Sequence, residues 1–258
     1  MADGEVRVRD PRAGVSDLPV RFASAIVMLV LAGGALWLGG WFWTVFVALL
    51  ACGVIYEWNK LIERFGLSGL AETLWFFGGV IYVGGAAYAM MVVRNGRQVL
   101  PLDPAQSGYA PLAVLVGFIL PVIAVDVGAY FAGRAIGGPK IAPKISPAKT
   151  WAGLAGGALL AGLVSVAVEL TDFGPAAAPG TSPLAIGAAL LGGVLIAVLA
   201  PTGAFFESWM KRRAGVKDSG ALIPGHGGLF DRLDGFISVF FILFVIEQVR
   251  LLWLLFAA

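Results

Sequence analysis

Apolar residues run along this chain in seven long stretches, at residues 22–38, 41–57, 69–93, 109–133, 151–170, 183–206 and 236–256. A helix rises 1.5 Å per residue, so about 20 apolar residues cross a hydrocarbon layer about 30 Å thick. The pattern predicts an all-α fold, a polytopic membrane helical bundle of about seven transmembrane helices. Only Gly39 and Gly40 separate the first two stretches, which predicts a tight helical hairpin. Residues 1–21 mix acids, arginines and prolines and lack the apolar core of a secretory signal. They read as a disordered cytosolic tail ahead of a membrane domain at 22–258.

Charge fixes the expected orientation. With the N-terminus in the cytoplasm, the inside segments hold Arg7, Arg9, Arg12 and Arg21, then Lys60 and Arg64. They also hold Arg134, Lys140, Lys144 and Lys149, and finally Lys211, Arg212, Arg213, Lys217 and Arg232. Only Arg94 and Arg97 fall in outside loops, and that asymmetry follows the positive-inside rule.

Composition agrees: 59% of residues are hydrophobic and 13% charged, where soluble domains carry about 25% charged residues. The net charge of +2 gives no reason to expect nucleic acid as a partner. One cysteine (Cys52) and one histidine (His226) exclude a disulfide framework and the usual zinc ligand sets, so a metal would need oxygen ligands. Gly153 with Gly157, and Gly187 with Gly192, suit close helix approach inside the bundle.

The polar exceptions gather in two places. Residues 207–234 hold nine of the 34 Asp, Glu, Lys and Arg residues and the single histidine, in what reads as a loop between the last two spans. Lys211, Arg212 and Lys217 supply cations there, and Asp218, Asp231 and Asp234 supply hard oxygen ligands. Gly225, Gly227 and Gly228 around His226 would let backbone approach a ligand. Carboxylates beside cationic clamps are what Mg²⁺-assisted phosphoryl or nucleotidyl transfer requires. The second place follows the fourth span, from Asp126 through Arg134 to Thr150. Asp126 lies within apolar sequence, where a carboxylate costs about 2.5–3.5 kcal/mol on insertion scales. It reads either as part of the site or as a partner of Arg134. Lys140, Lys144 and Lys149, with Ser146 and Thr150, stand among prolines and glycines as a rigid phosphate-binding loop or as a headgroup anchor. No Walker A motif is present. The residues themselves thus describe a membrane enzyme acting on phosphates at the cytoplasmic face.

The run Ser208, Met210, Lys211, Arg212, Lys217, Asp218, Gly220, Ile223, Pro224, His226, Gly227, Gly228, Leu229, Asp231, Arg232, Leu233 and Asp234 resembles the signature of the phosphatidate cytidylyltransferases, or CDP-diacylglycerol synthases. The stretch from Asp126 to Tyr130, with Gly133 and Arg134, and the stretch from Lys144 to Trp151 resemble a second region of that family. Tyr56, Glu57 and Trp58 give a fainter third match. The resemblance implies synthesis of CDP-diacylglycerol and pyrophosphate from CTP and phosphatidic acid, with Mg²⁺ and often K⁺. It implies Asp231 as a metal ligand, with Asp218 and Asp234 positioning metal or cations. Lys211, Arg212, Lys217, Arg232, Lys144 and Lys149 would hold phosphates, and Ser208 and His226 would contact substrate. A bacterial inner membrane, a cytoplasmic site and phospholipid biosynthesis are further implications, and a homodimer is left open.

Three positions depart from the family pattern. Ala204 stands where the family has a metal-binding aspartate, Ala152 where it has a glutamate, and Pro201 where it has a glutamine. Pro201 is expected to kink the sixth helix. The alternatives are Glu207, Asp218 or water filling the metal shell, or an impaired member that binds lipid or nucleotide without turnover. A CTP-dependent lipid kinase and a transporter are the remaining readings.

Overall fold

The structure is a computed structural model that describes residues 17–96, 111–171 and 182–257. It contains α1 (Asp17–Leu38), α2 (Gly40–Glu63), α3 (Leu70–Arg94), α4 (Pro111–Ala135), β1 (Lys140–Ala142), β2 (Ser146–Thr150), α5 (Trp151–Glu169), α6 (Pro183–Ala214) and α7 (Phe230–Ala257). Among the described residues, all seven helices are long and apolar enough to span a bilayer. The expected tail at residues 1–16 lies outside the described residues, and residues 17–21 belong to α1.

Two boundaries differ from expectation in a way that matters for the site. The sixth helix continues past Phe206 to Ala214, and the seventh begins at Phe230, six residues before its apolar run. Lys211 and Arg212, and Asp231, Arg232 and Asp234, therefore sit on helix ends rather than in a loop. Apolar counting stops where charge begins, whereas a helix continues as long as its backbone bonds and caps are satisfied. Gly215, with φ 68°, ends α6 in the left-handed conformation, and its N–H bonds back to the Arg212 and Lys211 carbonyls. Pro201 lies inside α6, which stays helical on both sides of it.

The all-α expectation also gains a small addition. The lysine-rich connection after α4 forms a two-stranded antiparallel sheet, with Lys140 opposite Thr150 and Ala142 opposite Ser146.

Helix α4 packs along α5, α5 along α6, and α7 along both α3 and α6. Small residues set the closeness of the first contact. A Cβ on Gly153 or Gly157 would lie 3.0 Å or 2.9 Å from the carbonyl oxygens of Ala129 and Val125 on α4. The second expected pair plays no such part: Gly187 and Gly192 face open space, and Gly193 instead meets α5 at Ala161 and Gly162. Two apolar clusters fill the interior. The larger runs from Trp43 and Val54 through Trp58 to Phe230 and Phe240, and the smaller joins Val122 and Val125 to Ala161, Ile196 and Val239. Helix α1 packs mainly on α2 and keeps most of its apolar surface outward, as a helix facing lipid can.

Candidate active site

The site forms at one end of the bundle, where α2, α4 and α6 finish and α1 and α7 begin. Lys211 on the last turns of α6 donates to Glu207 Oε2 at 2.8 Å and to Asp231 Oδ1 on the first turn of α7. One ammonium thus ties two carboxylates from two helices. Asp231 Oδ2 accepts from the Ser219 N–H at 2.9 Å, the Ser219 hydroxyl at 3.0 Å and the Gly228 N–H at 3.1 Å. These bonds fix the orientation of the carboxylate.

A second set faces the first. Lys149, at the end of β2, interacts electrostatically with Asp234, Asp126, Glu207 and Lys211, and its ammonium lies 4.7 Å from the Phe205 ring centroid. Burial pushes Lys149 below the ordinary lysine range, and the three carboxylates oppose that shift only in part. Asp126 is therefore coupled to Lys149 rather than to Arg134, whose guanidinium donates to the Tyr130 hydroxyl at 3.1 Å. Asp234 Oδ1 accepts from the N–H of Gly235.

The remaining expected residues form a rim or serve the scaffold. Arg212, Lys217 and Asp218 are exposed, and Ser208 is half-buried beside Glu207. Lys144 is exposed in the turn between β1 and β2, and Ser146 starts β2. Thr150 is buried and caps α5 by accepting from the Gly153 N–H at 3.0 Å. His226 lies in a tight turn closed by a bridge between Ile223 and Gly227, with Gly225 and Gly227 at positive φ. Its Nδ1 is 3.0 Å from the Ser24 hydroxyl of α1, and Arg232 donates to its carbonyl at 2.8 Å. Gly228 leaves room for the loop itself, since a Cβ there would meet Ser219 and Asp231.

Asp231, Asp218 and Asp234 are the carboxylates expected to share a metal. Among the described residues no group of three or more Asp, Glu, His or Cys is arranged to hold an ion. Asp218 packs over Gly227 at the rim, and Asp234 belongs to the Lys149 set. Glu207 is the carboxylate that lies beside Asp231, and its Oε1 is buried without a hydrogen-bond partner. Such an orphaned oxygen next to a second carboxylate fits a cation completed by substrate oxygens.

Sequence reasoning passed over two residues. Glu57, 1% exposed at the end of α2, accepts from the N–H groups of Leu229 and Phe230 and from the Ser219 hydroxyl. Ser219 joins that carboxylate to Asp231. The signal for Glu57 was a carboxylate beside an apolar span, inside the fainter Tyr56–Trp58 match.

Beside this cluster a cavity of about 600 Å³ runs between α2, α3, α6 and α7. Trp58, Leu74, Trp75, Tyr82, Leu199, Phe206, Phe241 and Ile242 give it apolar walls, and Thr202 and Ser238 add hydroxyls. Phe206 adjoins Glu207 in sequence, and Ser238 lies one helical turn beyond Asp234.

A spanning bundle with a charged, phosphate-suited cluster at the head of an apolar groove defines an integral membrane protein of the lipid–phosphate class. The chain belongs to the cytidylyltransferase family, whose model matches residues 69–249. It is 32% identical to a phosphatidate cytidylyltransferase of Brucella suis, over 90% of this chain and 93% of that protein. It is 31% identical to one of Rickettsia bellii, over 92% and 93%. The protein of that name in Pseudomonas aeruginosa is 32% identical, over 84% of this chain and 92% of its own.

Proposed function

We propose that this chain makes CDP-diacylglycerol and pyrophosphate from CTP and phosphatidic acid, as a phosphatidate cytidylyltransferase of phospholipid biosynthesis. The observation that carries this reading is the Glu207–Lys211–Asp231 linkage at the head of an apolar groove, in a chain of this family. Acyl chains lie along the Trp58–Phe241 groove, which brings the lipid phosphate to the level of Lys211 and Lys149. A phosphate oxygen of the lipid bonds to the α-phosphorus of CTP, and the bond from that phosphorus to the α–β bridging oxygen breaks, so pyrophosphate leaves. No protein nucleophile is needed. Lys211 and Lys149 offset charge at the reacting phosphates, and Arg212, Lys217 and Arg232 draw the triphosphate in from the rim. Arg134, Lys144 and the hairpin continue that basic rim.

Glu207 and Asp231 would hold Mg²⁺, which commonly uses one or two carboxylates with phosphate oxygens and water. Bound there, it would neutralise phosphate charge as a Lewis acid. The expected aspartate at 204 is then not required. The cationic ends of the helices face the cytoplasm, where CTP is found, and the membrane is the bacterial inner membrane.

The test is CDP-diacylglycerol formation by purified protein in detergent, with CTP, phosphatidic acid and a Mg²⁺ titration. Unmodified chain is expected to turn over, and Asp231→Asn to lose on the order of 10²-fold or more. Ala204→Asp is expected only to lower the Mg²⁺ concentration needed. Near-normal turnover by Asp231→Asn would overturn its role. Product from Ala204→Asp alone would mean that two carboxylates do not suffice.

A further inference from the structure

Helix α2 reaches the segment that carries Asp231 through Glu57. The Glu57 side chain is almost wholly buried, yet every bond it accepts comes from the segment that carries Asp231. Oε1 takes the Leu229 N–H at 3.0 Å, and Oε2 takes the Phe230 N–H at 2.8 Å and the Ser219 hydroxyl at 2.9 Å. Phe230 opens α7, so two of these are helix N-terminal donors that have no partner within the helix. Glu57 therefore caps α7 from another helix, and a carboxylate is the group an N-terminus favours. The fit is close: a Cβ on Gly220 would run into the same carboxylate.

Ser219 extends the contact to the site. Its Oγ lies 2.9 Å from Glu57 Oε2 and 3.0 Å from Asp231 Oδ2, so its one hydrogen serves both carboxylates in turn, and its N–H also bonds to Asp231. The loop carrying Ser219 and Gly228, both donors to Asp231, is held at each end by Glu57.

We infer that Glu57 is a positioning residue: it clamps the 219–229 loop and the first turn of α7 so that Asp231 keeps its orientation toward Lys211 and the substrate phosphates. This rests on the function proposed above. Groups that orient a metal-binding or phosphate-facing side chain typically affect activity or metal affinity by about 10- to 100-fold when altered.

The test uses the full chain in detergent with Glu57→Gln, Ser219→Ala and the double variant. Backbone hydrogen–deuterium exchange is followed separately in residues 219–234 and 151–169, beside turnover and its Mg²⁺ dependence. In Glu57→Gln, exchange should quicken in 219–234 and stay unchanged in 151–169. Turnover should fall about 10- to 100-fold with little change in KM for CTP, and half-saturating Mg²⁺ should rise. The double variant should lose less than the product of the single losses, because both act through one path. Faster exchange throughout the bundle would mean a merely structural role and would overturn the inference. So would normal turnover in Glu57→Gln, or independent effects of the two changes. If Glu57→Gln does not fold, Ser219→Ala alone must show the same local loosening and loss of turnover, or the inference fails. Absence of turnover in the unmodified chain would remove the proposed function, whereas exchange in 219–234 would still judge the clamp.

Discussion

Lys149 is a residue whose surroundings change its chemistry. A lysine holds phosphate only while protonated, and burial moves its proton loss below the ordinary lysine value of about 10.4. The alkaline limb of kcat/KM for CTP should therefore fall at a lower pH than an exposed lysine would give. Lys149→Arg, which keeps its charge, should move that limb upward, and a limb unchanged by the substitution would assign it to another group. Stability has the opposite sign. The unfolded chain holds this proton more tightly, so Lys149 makes folding more favourable as pH rises from its folded value toward its unfolded one. Lys211 stands in the contrasting situation, with two carboxylates directly on its ammonium. Removing it would leave those carboxylates side by side without their shared cation.

At the scale of elements, the α4–α5 pair is the rigid support of the Asp126–Lys149 side of the site. Its closeness depends on glycine: a Cβ on Gly156 would run into the Cβ of Ala132 and lie 2.9 Å from the Gly128 carbonyl. Gly156→Leu must push the helices apart, at about 1–3 kcal/mol for overpacking. It should lower the unfolding temperature in detergent, read by Trp fluorescence. Gly187→Leu adds the same side chain where nothing lies within 4 Å, and should leave that temperature unchanged. Equal destabilisation at both positions would mean that packing of α5 against α4 does not set the cost. The hairpin β1–β2 and the cap by Thr150 carry this rigidity to Lys149, which occupies the last residue before the cap.

For the whole molecule, the structure gathers the ends of α2, α4 and α6 with the starts of α1, α5 and α7, as alternating spans must. The proposed orientation, argued from the charge asymmetry, faces that end to the cytoplasm. In a Cys52→Ser background, Lys217→Cys should react with an impermeant maleimide only after the cells are opened. Thr171→Cys, beyond the other end of α5, should react in intact cells. The reverse pattern would invert the topology.

The sequence by itself determined the number of spans, their polarity pattern and the identity of the charged groups. Those follow from local physics: uninterrupted apolar runs can only cross the lipid, and charge is excluded from them. It also named Lys211, Asp231 and Lys149 through their local motifs. Only the tertiary structure decided which of these groups meet. Asp218 and Asp234 share the motif with Asp231 but have other neighbours: Asp218 lies against Gly227, and Asp234 interacts with Lys149. Glu207 joins Asp231 because α6 carries it into line with Lys211, one helical turn away. Glu57 reaches Phe230 across 173 residues of chain, a contact that no local pattern encodes. Such a contact exists only once the helices pack, since it is the buried donors of another segment that make a buried carboxylate tolerable.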